Sequence, residues 1–412
     1  MLSKAEWQRL LRWLDIAGLA LYFLDRISEL NLLGMLPPFV LARLQQNLAD
    51  NTERMLGMME ESTAIHQAFQ SAGISYVALK GFSLWPTSVP KLELRSQLDL
   101  DFLIAKTDIY EAQRILEYRG YYLHAVSGRS WEFKTNQMPD TSLKNIYKPT
   151  PYLSVELHAE HSGPDKPSLL VRAERRIIHG ISMPVLAPVD LFLGQGMHLY
   201  KHLSNDFVRP AHLIEFRRHM LAQQSERQFW TKLQIAAEEN PNASFALGVA
   251  TLLITKLMGD FAPKQFTSWT VNLLPSFARI WVEMYGARLI FTDFPGSKLH
   301  LLLQSELEAA GVPTKLSRRR ALLPLRLPPA VVKAPAQENL PARIRRYYGQ
   351  TRFIFLRLRF HVVGGFSYLI ELRRWRKCKS GLCHSGSSPL HASLHVNLQC
   401  DSQQALSSST KE

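Results

Sequence analysis

The sequence predicts an α+β protein: a small mixed sheet with flanking helices, embedded in a chain that is otherwise mostly helical. Three observations carry this. Short apolar runs with period-two alternation cluster between residues 73 and 187. Long patterns with apolar residues three and four apart precede and follow them. Glycine or proline stands at the changes of period, at Gly73, Gly120 and Pro188.

Taken in order, Ala5 to about Leu33 has helical periodicity through Trp7, Leu10, Leu11, Leu14 and Ala17, and Leu36-Pro37-Pro38 breaks it. A second helix is predicted from Val40 to about Ser71, stopped by Gly73. Its Met55, Leu56, Met58 and Met59 read as core packing. Ile74–Leu79 is a β-branched and aromatic run that ends in Lys80-Gly81-Phe82-Ser83. A glycine at a strand-to-helix turn lets backbone approach a ligand closely, and backbone N–H groups at a helix start favour anions. Pro86–Pro90 is a loop. Thr107–Tyr118 reads as a helix capped by Thr107 or Asp108 and closed by Gly120. Tyr121–Val126, Ser130–Lys134 and Tyr152–His158 read as strands, with Asn136–Ser142 as a turn. From Pro188 the pattern is helical: Val189–His202, Arg209–Gln223, then apolar helical stretches to about Glu308. The implied organisation is a helical region over 1–72, a mixed core over 73–187, a helical domain over 188–310, a basic segment over 311–379, and a polar tail over 380–412.

The candidate site centres on Leu98–Ile104, LDLDFLI. In a strand Leu98, Leu100, Phe102 and Ile104 share the core face, and Asp99, Asp101 and Leu103 the other. Two carboxylates on one face, roughly 6–7 Å apart, repel unless a cation lies between them or one is protonated. Hard divalent cations take such oxygen ligands. The competing reading is an edge strand with two solvated acids. On Tyr152–His158, Leu153, Val155 and Leu157 face one way, while Ser154, Glu156 and His158 face the other, which adds a third acid on a polar face.

The order strand, Lys-Gly, Arg, Asp-x-Asp strand and a later acid resembles the nucleotidyltransferase superfamily with the DNA polymerase β type fold. More narrowly, the chain resembles the bacterial family of uncharacterised nucleotidyltransferases. The residues are Leu79-Lys80-Gly81, Arg95-Ser96-Gln97-Leu98-Asp99-Leu100-Asp101 and Val155-Glu156-Leu157-His158, followed by His198-Leu199-Tyr200-Lys201-His202 and Arg209. The resemblance spans roughly Leu36 to Met220. Two departures stand out: Gly81-Phe82-Ser83 replaces the usual Gly-Ser or Gly-Gly turn, and the third acid is Glu156 rather than Asp.

The resemblance implies transfer of a nucleotidyl group from a nucleoside triphosphate to an acceptor hydroxyl, with pyrophosphate released. It implies two Mg²⁺ ions, roughly 3.5–4 Å apart in such sites, held by Asp99, Asp101 and Glu156, with Glu156 able to accept the acceptor's proton. Lys80, the Gly81 backbone and Ser83 would cradle the triphosphate. Arg95 would neutralise it or lock Asp99, and the alternative for Arg95 is a plain salt bridge at the strand entrance. A degenerate relative that binds nucleotide without turnover fits the same residues.

The net charge of +14 is local. From Lys315 to Lys379 there are 17 Lys or Arg against two acids, which nets +15 and leaves −1 for the rest. In Arg343–Lys379 the arginines Arg345, Arg352 and Arg359 recur every seven residues among Tyr347, Tyr348, Phe353, Phe355 and Phe360. That pattern suits RNA phosphates or an anionic membrane surface, or a terminal helix with solvated arginines. No run approaches eighteen consecutive apolar residues, so no transmembrane segment is expected. The N-terminus lacks a signal-peptide pattern, and Cys378, Cys383 and Cys400 all lie near the end, which suits a reducing cytoplasm. Pro324–Pro335 reads as a linker and Cys383–Glu412 as a disordered tail. His198 and His202 are one helical turn apart, a zinc-compatible spacing with no third ligand evident in the sequence.

Overall fold

The computed structural model describes residues 2–135, 145–149, 153–160, 168–240, 242–311, 318–322 and 340–385. The predicted turn Asn136–Ser142, the Pro-rich linker and the tail beyond Ser385 lie outside the described residues. The chain divides into two compact units. One comprises Met1–Tyr200 with Arg209–Leu273, and the other Lys201–Val208 with Leu274–Glu412.

The first unit opens with α1 (Lys4–Ala17), whose Ser3 and Glu6 form a reciprocal cap: the Glu6 amide donates to Ser3 Oγ and the Ser3 amide to Glu6 Oε2. The sequence predicts one helix to Leu33. The structure instead has a second helix, α2 (Ala20–Glu29). Gly18 adopts a left-handed conformation (φ +71°) that ends α1, and a Cβ there would collide with the Arg209 guanidinium. Apolar periodicity continues across this break, so the pattern alone hides it. Helix α3 (Pro38–Ser71) then runs 34 residues and stops before Gly73, as predicted. Met55, Met58 and Met59 are buried, whereas Leu56 is exposed.

A seven-stranded mixed sheet follows. Its strands are β1 (Tyr76–Ala78), β2 (Asp99–Ile104), β3 (Tyr121–Ser127), β4 (Ser130–Thr135), β5 (Ser154–Ala159), β6 (Glu174–Ile178) and β7 (Ile181–Val185), in the order β3-β4-β5-β2-β1-β7-β6. β2 pairs parallel with β5, and β1 parallel with β7; the other neighbours are antiparallel. β1 is shorter than the predicted strand, and the β6–β7 hairpin was not anticipated. β6 is an edge strand with most of its residues exposed, so its sequence, ERRII, carries little apolar alternation. Helix α4 (Ile109–Tyr118) starts after Asp108. Neither predicted cap forms: Asp108 Oδ2 instead accepts from the Ser75 amide, tying the helix start to the entry of β1.

The central strands are buried on both faces, which fixes the register of β2. Leu100, Phe102 and Ile104 pack with Phe69, Met58, Val155 and Leu157. Leu103 and Val77 point the other way, into a second cluster with Leu84, Val89, Leu186 and Leu191. Asp99 and Asp101 share the Leu103 face. Leu98, assigned to the core face, lies before the strand and is exposed. Helices α5 (Pro188–Leu203), α6 (Ala211–Ala222), α7 (Arg227–Glu238), α8 (Ala243–Met258) and α9 (Lys264–Thr267) complete the predicted helical stretch of this region.

The second unit contains α10 (Ser276–Ile290), α11 (His300–Ala309), α12 (Arg318–Leu322) and the 46-residue α13 (Leu340–Ser385). Trp281, Tyr285 and Trp375 are buried at its centre. Arg288 and Arg374 pair with Glu371, and Trp375 and Lys379 both donate to Glu306. One segment within α13, Arg343–Ser380, is long and apolar enough to cross a membrane by length and composition. No uninterrupted apolar run of eighteen residues marks it in the sequence, which is why no such segment is expected there. Arg357 and Arg359 interrupt this one without making it polar on average.

Candidate active site

The parallel pairing of β2 with β5 sets Asp99 opposite Ser154, Asp101 opposite Glu156, and Leu103 opposite His158. Because successive side chains alternate, Asp101, Glu156 and His158 emerge on one face of neighbouring strands. Their candidate ligand atoms all lie within 4.8 Å of one another. His158 Nε2 is 3.2 Å from Asp101 Oδ1 and 3.4 Å from Glu156 Oε2. From β4, Ser130 Oγ donates to Glu156 Oε2 at 3.4 Å.

The Lys80-Gly81 turn meets this cluster from β1. The Leu79 amide donates to the Asp101 carbonyl, which carries the strand alignment to the turn, and Lys80 Nζ reaches Asp101 Oδ1 at 3.2 Å. A short 3₁₀ turn, Gly81–Leu84, follows. Gly81 has φ +66°, and a Cβ there would overlap the Gln97 side-chain amide. That amide donates to the Asp99 carbonyl at 2.7 Å. Gln97 thus fastens the turn to the start of β2. Nothing local in the sequence marks Gln97, because its role depends on contact with a residue sixteen positions away.

The electrostatics are those of a carboxylate cluster. Burial, then the Asp101 charge and that of Glu156, raise the Asp99 pKa; Lys80 and Arg95 only partly offset this. Burial also opposes ionisation of Asp101, but the hydrogen bond from His158 and the Lys80 charge outweigh it and lower its pKa. Glu156 is lowered chiefly by the His158 hydrogen bond. For His158 burial disfavours the charged form, yet the bonds to Asp101 and Glu156 prevail and raise its pKa to about 9. Asp101 and Glu156 converge with His158, and Lys80 reaches Asp101; Asp99, opposite Ser154, stands outside that group and is coupled to it through charge, with Arg95 as a further cation. The carboxylate oxygens of Asp101 and Glu156 are the donors a hard divalent cation takes, so the residues present suit Mg²⁺.

Two predicted phosphate-binding residues have other partners in this structure. Arg95 Nε pairs with Glu215 Oε1 at 3.1 Å, and both side chains are largely buried. Ser83 is fully buried; its Oγ donates to the Lys80 carbonyl, and its own carbonyl accepts from Arg176. His198 lies edge-on to His212, with ring centroids 5.2 Å apart.

Beneath the site lies a network that the sequence did not reveal. Tyr22 Oη donates to Glu215 Oε1, Arg218 stacks over the Tyr22 ring, and Arg209 donates to both the hydroxyl and the carbonyl of Ser96. These groups anchor Arg95 and Ser96, immediately upstream of β2, to α2 and α6.

Comparison with known proteins bears on this arrangement. A family model described as uncharacterised nucleotidyltransferase matches residues 3–259, well over half of the chain. Among solved structures, the chain is similar to an antigenic nucleotidyltransferase-like protein from Paracoccidioides brasiliensis. That match is 14% identical, covers 45% of this chain and 89% of the other, and has a TM-score of 0.29. No curated protein matches.

Proposed function

We propose that this chain, which belongs to the uncharacterised nucleotidyltransferase family, transfers a nucleotidyl group from a nucleoside triphosphate to an acceptor hydroxyl and releases pyrophosphate. The observation that carries the reading is the in-register pairing of Asp101 with Glu156 on adjacent parallel strands, with Lys80 and His158 against the same carboxylates. Phosphoryl chemistry of this kind depends on positioning and charge neutralisation more than on covalent catalysis.

In this reading Asp101 and Glu156, with Asp99 beside them on β2, would hold Mg²⁺, which would supply charge neutralisation at the phosphates. Lys80 turns from Asp101 to the triphosphate, and the Gly81 backbone lets the chain approach it closely. The acceptor oxygen attacks the α-phosphorus, and the bond from that phosphorus to the oxygen bridging to the β-phosphate breaks. Pyrophosphate leaves with that electron pair, and Glu156 Oε takes the acceptor's proton. His158 orients both carboxylates before nucleotide arrives. Arg95, paired with Glu215, supports the start of β2 instead of touching phosphate.

A second reading is nucleotide binding without turnover. It is favoured by the fact that Lys80 and His158 both engage Asp101, so side chains of the protein itself offset part of the carboxylate charge.

The test is pyrophosphate release by the purified protein with Mg²⁺ and each of the four nucleoside triphosphates, offered protein, RNA and sugar hydroxyls as acceptors. Release that is abolished by Asp101→Asn, with folding retained, supports transfer. Thermal stabilisation by nucleotide plus Mg²⁺ with no release in any combination selects the binding-only reading. Neither release nor stabilisation rejects both.

A further inference from the structure

Helix α13 carries eleven Lys or Arg and a single acid, Glu371. The acid is turned inward and buried, where it pairs with Arg288 and Arg374. At 3.6 residues per turn, Tyr368, Glu371 and Trp375 define one side of the helix. All three are buried, and Phe360, near the same side, lies beneath Lys298 Nζ at 4.6 Å. The opposite side is apolar and, among the described residues, exposed. Phe355, Leu358, Val362, Val363, Phe366 and Leu369 are each more than half exposed. Exposed arginines flank this band at both ends: Arg345 and Arg352 before it, Arg373 and Arg376 after it.

We propose that α13 is a membrane-seating helix that binds the surface of an anionic lipid bilayer. The band from Phe355 to Leu369 is about 22 Å long at 1.5 Å per residue. Its aliphatic and aromatic side chains enter the boundary between headgroups and acyl chains, and the flanking arginines engage lipid phosphates. Arg359, within the band, reaches the headgroups by extending its side chain. The helix lies along the surface and does not span it, because its other side is already occupied by Tyr368, Trp375 and the Glu371 ion pairs. Lipid cannot surround a helix held that way.

The aliphatic character decides between lipid and nucleic acid. RNA rewards arginine and stacking aromatics, and gains nothing from Leu358, Val362, Val363 and Leu369. The distribution of charge decides between lipid and an apolar protein groove: cations at both ends of an apolar band, with the one acid withdrawn, match an anionic surface. This proposal is independent of the nucleotidyl-transfer reading.

Full-length protein is floated on a density gradient with vesicles of phosphatidylcholine alone and of phosphatidylcholine with phosphatidylglycerol. The expected result is flotation with the anionic vesicles only, weakening as salt rises. Val362→Asp with Phe366→Asp should abolish it while leaving the thermal melt unchanged, since both side chains are exposed. Arg345→Gln and Arg352→Gln should each lower partitioning roughly fivefold, an effect independent of the apolar pair. No flotation with anionic vesicles overturns the proposal. So does RNA binding that survives the double aspartate variant while vesicles are ignored, or a dimer in sedimentation velocity that this variant dissociates.

Discussion

Glu215 offers the sharpest test of what holds the candidate site together. Its side chain is 3% exposed and accepts from Arg95 Nε at 3.1 Å and from Tyr22 Oη at 3.3 Å. Burial opposes charge on Arg95, yet its pKa is raised because the Glu215 carboxylate more than compensates. Arg209, buried nearby, has its pKa lowered, first by burial and then by the Arg95 charge. Glu215→Ala therefore strands two guanidinium groups beside each other with no counter-ion between them. Breaking a buried pair from one side costs about 3–5 kcal/mol. Glu215→Gln keeps an acceptor for Arg95 and Tyr22 and loses only the charge, so its cost should be smaller, about 1–3 kcal/mol. At about 2–4 °C per kcal/mol for a unit of this size, the alanine variant should melt on the order of 10 °C below the wild type. Calorimetry or circular dichroism at neutral pH would read both variants, at low and at high salt. A buried pair is screened little, so the difference should persist in high salt. An alanine variant melting within about 2 °C of the wild type, or a difference that vanishes with salt, would refute the network.

Gly81→Ala should cost about 1–2 kcal/mol for the left-handed backbone alone, and more because Gln97 must leave the Asp99 carbonyl; a thermal melt against the wild type would show it. His158 has a folded pKa of about 9, above its ordinary 6.5. Its charge therefore stabilises the fold fully below about pH 6.5 and ceases to as pH rises through about 9. The gap in melting temperature between wild type and His158→Gln should close across that window, and Asp101→Asn should shift the His158 NMR titration downward. Phe102, fully buried and edge-on to His66, Phe69 and Tyr76, should lose about 3–5 kcal/mol on Phe102→Ala, measured by denaturant unfolding. By contrast, Leu56→Ala on the exposed side of α3 should stay within about 0.5 kcal/mol of the wild type.

What was legible in the chain followed locality. Alternation in LDLDFLI and YLSVELH gave the faces of β2 and β5, because a strand's two-residue period is written in adjacent positions. Asp101 and Glu156 could be named for the same reason, though only the pairing of the two strands brings them together. The break at Gly18 was hidden by apolar residues on both sides of it, and β6 by its position at a sheet edge. The Arg95–Glu215 pair spans 120 residues, so no local pattern could announce it. His158 stood in plain view on the polar face of its strand. Its weight became visible only when both carboxylates came within reach of one ring nitrogen.

The chain's route between its two units has a consequence in time. Residues Lys201–Val208 belong with the chain that begins at Leu274, yet they are made far earlier. Asp206 holds Lys298 through both carboxylate oxygens, and its carbonyl accepts from Ser297, some ninety residues downstream. At about 5–20 residues per second on the ribosome, this segment waits roughly 5–20 s for its partners. A chain cut at residue 259, where the family-model match ends, would leave it waiting indefinitely. Expression trials should therefore carry the chain through α11 at least.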